Sequence, residues 1–194
     1  SVVGQGSVFS FDISSELNCK SQINLSQLKQ VKSIAPNQSS YRILAVDDHW
    51  QSRLLIVRLL SRVGFEVKDA ENGKQALELF QQWQPHLILM DMRMPIMDGY
   101  TATQQIRIVE QRIQERQNNQ PENVIHPAKI IALTASAFES KRAATLKAGC
   151  DDYLRKPFKE DKLFATIQEY LGVEYIYQES SENAIENDLS AAQS

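Results

Sequence analysis

PHLILMDMRMPIMDGY, residues 85–100, contains an apolar run that no polar side chain interrupts from residue 87 to residue 90. A strand exposed on one face alternates apolar and polar residues, so this run predicts a strand buried on both faces. Asp91 ends the run, and Met-rich, proline-containing sequence follows it. Because a carboxylate at the end of a buried strand is costly without partners, Asp91 requires compensating groups from other parts of the chain.

Strand-like and helix-like patterns alternate around this stretch, from residue 41 to residue 172. Five short apolar runs predict strands, and the amphipathic segments that follow them predict helices. The predicted strands are 41–46, 65–70, 86–91, 129–135 and 151–156, and the predicted helices are 50–64, 72–83, 99–116, 138–149 and 159–171. Five such βα units predict an α/β fold, a doubly wound five-stranded parallel sheet with helices on both faces and the flavodoxin-like order 2-1-3-4-5.

The segments outside this pattern differ in composition. Residues 1–13 contain one short apolar alternation, and residues 14–40 are polar with one weak helical patch, which predicts a linker. Residues 173–194 are acidic and rich in serine and asparagine, so they predict a flexible tail in which residues 175–177 can still pack locally. Residues 114–127 form an unusually long polar connection and predict an exposed insertion.

Bulk composition excludes several classes of function. A net charge of -3 without a Lys/Arg stripe argues against binding to nucleic acid. Cys19 and Cys150 lie far apart and lack metal-ligand spacing, which favours free thiols over a disulfide. No apolar run approaches a membrane span and no signal peptide is visible, so we expect no membrane contact by this chain and a cytoplasmic location.

Five polar residues stand at the ends of predicted strands, namely Asp47, Asp48, Asp91, Thr134 and Lys156. Ligands of open α/β sheets bind beyond the carboxyl ends of the strands, so we expect all five side chains to meet at one edge. Three carboxylates at one edge repel each other unless a cation lies between them. An oxygen-rich site of this kind suits Mg²⁺.

The charges of this site suit phosphoryl transfer. Three carboxylates carry three negative charges, and one Mg²⁺ with Lys156 returns three positive charges. Asp91 can then attack phosphorus and form an acyl phosphate, while the cation offsets the charge that develops. Lys156 and the hydroxyl of Thr134 are the predicted donors to the new phosphoryl oxygens.

Four motifs carry a resemblance to a known family: ILAVDDH, LILMDMRMPIMDGY, IIALTA and AGCDDYLRKPF. In this order and spacing they resemble the receiver (response regulator) domains of bacterial two-component phosphorelays, over residues 41–172. The resemblance implies that Asp91 is the phosphoacceptor. It also implies Mg²⁺ ligation by Asp48, Asp91 and the main-chain carbonyl of Arg93, with Asp47 acting through water.

The resemblance assigns roles to further residues and to partners. Thr134 and Lys156 are expected to bind the phosphoryl group, Tyr153 to act with Thr134 as a switch, and Pro157 to follow a cis peptide bond. The expected partner is a phosphohistidine-bearing kinase or phosphotransfer domain. The expected output is a change in the surface of the fourth helix, fifth strand and fifth helix of the receiver domain, which is also a candidate dimer interface.

Residues 1–13 include GQGSVFSFDI, which resembles the last strand of a histidine-kinase ATP-binding domain. This second resemblance implies that the parent is a hybrid sensor histidine kinase, with any membrane anchor elsewhere in that protein. The ATP-binding and phosphodonor segments are not in this sequence. The expected catalysis is therefore limited to phosphorylation and dephosphorylation of the domain's own Asp91.

Other interpretations of the same residues remain open at this stage. The receiver fold could serve as a docking module that works without phosphorylation, although its intact acidic residues argue against this. A Mg²⁺-dependent phosphohydrolase would need a second acid two residues after Asp91, where Arg93 stands. Tyr153 also suits a half-buried core position, and His49, His86 and His126 share no cluster and are predicted to be surface or structural residues.

Overall fold

The computed structural model describes residues 30–117, 127–135 and 139–178, so the prediction for residues 1–13 lies outside the described residues. The elements within these ranges are β1 (Val31–Ile34), β2 (Arg42–Val46), α1 (Trp50–Val63), β3 (Glu66–Ala70), α2 (Gly73–Trp83), β4 (Leu87–Asp91), α3 (Gly99–Gln117), β5 (Lys129–Thr134), α4 (Glu139–Lys147), β6 (Asp152–Arg155), α5 (Glu160–Leu171) and β7 (Tyr175–Tyr177). Within these ranges, no helix combines the length and hydrophobicity that a membrane span requires.

The central sheet contains five parallel strands in the order β3-β2-β4-β5-β6. Numbered within the receiver domain this order is 2-1-3-4-5, so the predicted topology is confirmed. Residues 87–90 of β4 are fully buried and Asp91 is partly exposed, as the unbroken apolar run predicts. Alternate residues of the central strands supply two apolar cores, one on each face of the sheet.

The chain around α2 shows how local sequence shapes the functional edge of the sheet. Asn72 caps the helix, because its side-chain oxygen accepts a hydrogen bond from the Gln75 amide at 3.0 Å. The Gly73 amide donates to the Met97 carbonyl at 2.9 Å, and a Cβ on Gly73 would lie 2.7 Å from that oxygen. This glycine therefore allows the loop after β4 to pack directly against the start of α2.

A two-stranded antiparallel sheet formed by β1 and β7 extends the folded unit beyond the predicted range 41–172. The sequence pattern assigned these strands to a linker and a flexible tail. They are ordered because Val31 and Tyr175 are buried in the core on the α1 side of the central sheet. The Tyr175 ring also contacts Phe65 and Phe164, at centroid distances of 6.3 and 5.5 Å.

Ion pairs of Arg107 with Glu110 and Asp151 lie where α3 meets the start of β5. α3 continues to Gln117, into the range predicted as exposed insertion, and residues 118–126 are outside the described residues. Glu110 accepts the Ala128 amide at 2.8 Å, while Arg107 donates to the Ala128 carbonyl and to Asp151 at 2.8 and 2.7 Å. These bonds hold Ala128, just before β5, against α3.

Candidate functional site

The predicted residues meet at the carboxyl edge of the sheet because main-chain hydrogen bonds between neighbouring strands continue to the residues at the strand ends. The Asp47 amide donates to the carbonyl of Ala70 at 3.1 Å, at the end of β3, and the Lys156 amide donates to the carbonyl of Thr134 at 2.8 Å. A cavity of about 520 Å³ opens at this edge. The residues that line it are His49, Ser52, Asp91, Met92, Arg93, Tyr100, Thr134, Ala135 and Lys156.

Lys156 joins two of the carboxylates. Its Nζ donates to Asp47 Oδ2 at 2.5 Å and to Asp91 Oδ2 at 2.7 Å. Only 1% of the Asp47 side chain and 14% of the Asp91 side chain are exposed, compared with 25% for Lys156. Burial by itself lowers the pKa of Lys156, but the hydrogen bonds that it donates to Asp47 and Asp91 and the negative charges of these two groups outweigh burial, so the pKa is raised above its ordinary value of 10.5. Lys156 is therefore a fixed cation at neutral pH.

The acidic pair lies in the short turn between β2 and α1. Asp47 Oδ1 accepts the amide of His49 at 2.9 Å, which directs this carboxylate back towards the turn. The carboxylate of Asp48 lies 2.8 Å from Nδ1 of His49. The sequence predicts that His49 is a surface or structural residue. It is largely exposed, but its nitrogen and the carboxylate oxygens of Asp47 and Asp48 lie within 4.8 Å of one another.

The loop after β4 shapes the surroundings of Asp91. The Arg93 amide donates to Asp91 Oδ1 at 3.1 Å, so the two carboxylate oxygens of Asp91 have different partners. A second cavity of about 410 Å³ lies beside this loop, and Met92, Arg93 and Tyr100 line both cavities. Its other lining residues are Asp48, Met94, Pro95 and Asp98.

Gly99→Ala should disturb this loop, because a Cβ at position 99 would lie 2.1 Å from the Asp91 carbonyl oxygen. We expect the free energy of unfolding to fall by about 2 kcal/mol, as overpacking in a tight contact requires backbone shifts. Urea unfolding measures this change. Gly172→Ala is the control, since a Cβ there meets nothing within 4 Å and its cost comes from the φ of 67° alone. Equal losses for the two variants would contradict the proposed clash.

The two predicted switch residues occupy different surroundings. Thr134 lines the first cavity and is partly exposed at the end of β5. Tyr153, in β6, is half-buried and packs against the apolar core on the α2 and α3 side of the sheet. The peptide bond between Lys156 and Pro157 is cis.

The donor set fits a hard divalent cation. Asp47, Asp48 and Asp91 contribute three negative charges and Lys156 returns one, so two remain to be balanced. The carboxylate oxygens are the ligands that Mg²⁺ prefers, and the half-exposed Asp48 borders the open second cavity. The sequence pattern did not assign Ser52 and Tyr100 to this site. Ser52 lies in α1 outside the four motifs, and Tyr100 ends the LILMDMRMPIMDGY motif at the start of α3, away from the strand ends that were used to group the site residues.

Comparisons with known proteins agree with this arrangement. The sequence model described as "Response regulator receiver domain" matches residues 43–168. The chemotaxis protein CheY of Bacillus subtilis is 35% identical over 133 residues, which cover 68% of this chain and 98% of that protein. The sensor protein GacS of Pseudomonas syringae pv. syringae is 38% identical over 132 residues, 68% of this chain. The chain spans only 14% of the length of GacS.

Solved structures give the same result. The receiver domain of sensor histidine kinase PA1611 from Pseudomonas aeruginosa PAO1, solved with magnesium coordinated in its active-site cleft, is 35% identical with a TM-score of 0.57; the match covers 69% of this chain and 99% of that one. The Saccharomyces cerevisiae Ssk1 receiver domain, co-crystallised with the phosphotransfer protein Ypd1, is 31% identical with a TM-score of 0.60, covering 68% and 88%. The chain therefore belongs to the response regulator receiver domain family, the receivers of two-component phosphorelays.

Proposed function

We propose that Asp91 accepts a phosphoryl group from a phosphohistidine of a partner protein in a Mg²⁺-dependent reaction. The observation that carries this proposal is the bridge of Lys156 between Asp47 and Asp91 at the mouth of an open cavity. This bridge leaves Asp91 partly exposed beside a fixed cation. A carboxylate in this state needs no general base to act as a nucleophile.

In the proposed transfer an oxygen of Asp91 forms a bond to phosphorus as the bond from phosphorus to the donor imidazole nitrogen breaks. The electron pair of that bond stays with the leaving imidazole. Asp48, Asp91 and the carbonyl of Arg93 would hold Mg²⁺, with Asp47 acting through water. The bound cation supplies charge neutralisation for the phosphoryl oxygens. Lys156 and Thr134 donate to those oxygens after transfer.

The wider assignments rest on the relatives. GacS and the rice protein named probable histidine kinase 4, 37% identical over 140 residues, support a hybrid sensor kinase as the parent, and the Ssk1–Ypd1 complex supports a phosphotransfer domain as partner. We further propose that Thr134 and Tyr153 shift the surface of α4, β6 and α5, and that this surface forms dimers. Residues 1–13 stay a predicted kinase remnant, and a cytoplasmic location stays a prediction.

Acetyl phosphate tests the proposal without a partner protein. Incubation of the chain with acetyl phosphate and Mg²⁺ should produce a phosphoryl adduct that is labile in alkali and absent when EDTA replaces Mg²⁺. Asp91→Asn should abolish the adduct, while Asp161→Asn, which removes an exposed carboxylate of α5, should retain it. An adduct that survives Asp91→Asn contradicts the proposal, and a chain that forms no adduct would favour the docking-module alternative.

Leu55 provides a prediction about the protein donor. It is 68% exposed on α1, three residues after Ser52, so the two residues share a helix face that begins at the cavity. We expect Leu55→Glu to slow transfer from a phosphohistidine protein about 10-fold, because a charge replaces an apolar contact, while phosphorylation by acetyl phosphate is unchanged. Ile108→Glu, on α3 and 40% exposed, is the control and should affect neither reaction. Equal slowing by both phosphodonors would contradict a docking role for Leu55.

A further inference from the structure

Arg53 contacts the main chain of the acidic pair from within α1. Its Nη1 donates to the carbonyl oxygen of Asp47 at 2.8 Å and to that of Asp48 at 3.3 Å. Its Nε donates to Asp69 Oδ2 at 3.0 Å. The Arg53 side chain is 15% exposed, while that of Asp69, in β3, is 52% exposed. One guanidinium therefore joins α1, the end of β3 and the turn that carries both acids.

The turn needs such a group, because residues 47–49 belong neither to β2 nor to α1. The Asp47 amide continues the ladder of hydrogen bonds to Ala70, whereas the carbonyls of Asp47 and Asp48 accept their hydrogen bonds from the Arg53 side chain. A guanidinium can donate to two carbonyls and a carboxylate at once from a planar, rigid group, which a lysine ammonium on a flexible stem does less well. The contacts of Arg53 thus restrict the backbone from which the Asp48 side chain extends.

We propose that Arg53 is a positioning residue that sets the divalent-cation affinity of this receiver by fixing the Asp47–Asp48 turn. The proposal deepens the proposed function and rests on it for the identity of the site. Arg53 is not among the residues that line either cavity, and it acts through the peptide carbonyls of the two acids. Residues that orient metal ligands commonly change metal affinity about 10-fold to 100-fold when they are removed.

Removal of Arg53 has two effects on Mg²⁺ affinity, one through its charge and one through its contacts with the turn. The two effects are opposite in direction, so they can be separated by experiment. Removing the positive charge of Arg53 strengthens the attraction of the acidic pair for Mg²⁺ by Coulomb's law. Releasing the turn weakens binding, because the ligands must then be ordered by the cation. The double variant Arg53→Met with Asp69→Asn removes one positive and one negative charge, so the net charge is that of the parent chain and only the positional effect remains.

The measurement is a Mg²⁺ titration followed by the fluorescence of Trp50, which adjoins His49. The chain has two tryptophans, so Trp83→Phe serves as the common background. We expect the Arg53→Met, Asp69→Asn variant to bind Mg²⁺ about 10-fold more weakly. Arg53→Lys should recover part of the loss, and Asp69→Asn alone should change affinity less than about 2-fold, since Arg53 keeps both carbonyl contacts. Thermal unfolding in EDTA identifies the temperature range in which each variant is folded.

A merely structural role would lower the melting temperature and leave the Mg²⁺ affinity of the folded variant unchanged, and that result overturns the proposal. The proposal is also overturned if the single variant Arg53→Met binds Mg²⁺ more tightly than the parent chain and the double variant binds it as the parent chain does. Saturating Mg²⁺ should restore the rate of phosphorylation by acetyl phosphate in the double variant. If the parent chain binds Mg²⁺ but forms no labile adduct, the proposed function fails while the role of Arg53 stands. A parent chain that binds no Mg²⁺ contradicts both.

Discussion

Lys156→Met is expected to slow phosphorylation by acetyl phosphate on the order of 100-fold, the usual effect of removing a donor that stabilises developing charge. The variant should also be less stable than the parent chain by about 3 kcal/mol in EDTA, because the nearly inaccessible Asp47 carboxylate loses its cation. Stopped-time phosphorylation assays and urea unfolding measure the two effects. Mg²⁺ should stabilise the variant more than the parent chain, since the uncompensated charge rises from two to three.

The pH dependence of the parent chain follows from the same contacts. The pKa of Lys156 is higher in the folded chain than its ordinary value, so the folded state holds this proton more tightly than the unfolded state. Its contribution to stability is complete below the unfolded pKa and is lost as the pH rises through the folded pKa.

Lys159→Met, which replaces an exposed lysine three residues after Lys156, is the control for Lys156→Met and should change neither the rate of phosphorylation nor the stability. Normal phosphorylation by Lys156→Met would contradict the proposed role.

Tyr175→Ala is expected to lower the free energy of unfolding by about 4 kcal/mol, the range found when a buried aromatic side chain is removed. Tyr175 is only 9% exposed, its ring packs against Phe65 and Phe164, and its hydroxyl donates to the Phe164 carbonyl at 3.3 Å. Its pKa is raised, mainly by burial, which agrees with a neutral phenol in the core. Urea unfolding followed by circular dichroism measures the loss.

Two comparisons test whether β1 and β7 are part of the folding unit. Tyr177→Ala removes a tyrosine of the same strand that is 39% exposed, so we expect a loss below about 1 kcal/mol. A chain trimmed to residues 40–172, which keeps β2 and α5 whole, lacks Val31, Val173 and Tyr175 and should be markedly less stable. Equal stability of the trimmed and longer chains would show that the two-stranded sheet contributes nothing.

The central sheet could be predicted from sequence because its three inner strands, β2, β4 and β5, are buried on both faces. An unbroken apolar run such as that of β4 has few other structural solutions, and strands alternating with helices restrict the topology further. The location of the site could be predicted from the same parallel topology. Once parallel strands are predicted, the residues that end them must share an edge, which is why Asp91, Thr134 and Lys156 could be grouped before any distance was known.

The two-stranded sheet could not be predicted in this way. β1 and β7 have four and three residues, too few for a periodic pattern, and the bonds beside them join residues far apart, such as Gln38 and Glu174 with a separation of 136 residues. Their order depends on burial of Tyr175 against Phe164 of α5 and against Phe65, which lies between α1 and β3. The proposed role of Arg53 could not be predicted either, because it depends on contacts with two main-chain carbonyls, which carry no sequence signal.

Borohydride reduction after phosphorylation shows directly whether Asp91 is the residue that accepts the phosphoryl group. This reagent converts an aspartyl phosphate into homoserine, and peptide mass spectrometry then locates the converted residue. We expect homoserine at position 91 alone, formed with Mg²⁺ and acetyl phosphate and absent in EDTA. Conversion at Asp47 or Asp48 in place of Asp91, or an adduct that resists reduction, would contradict it.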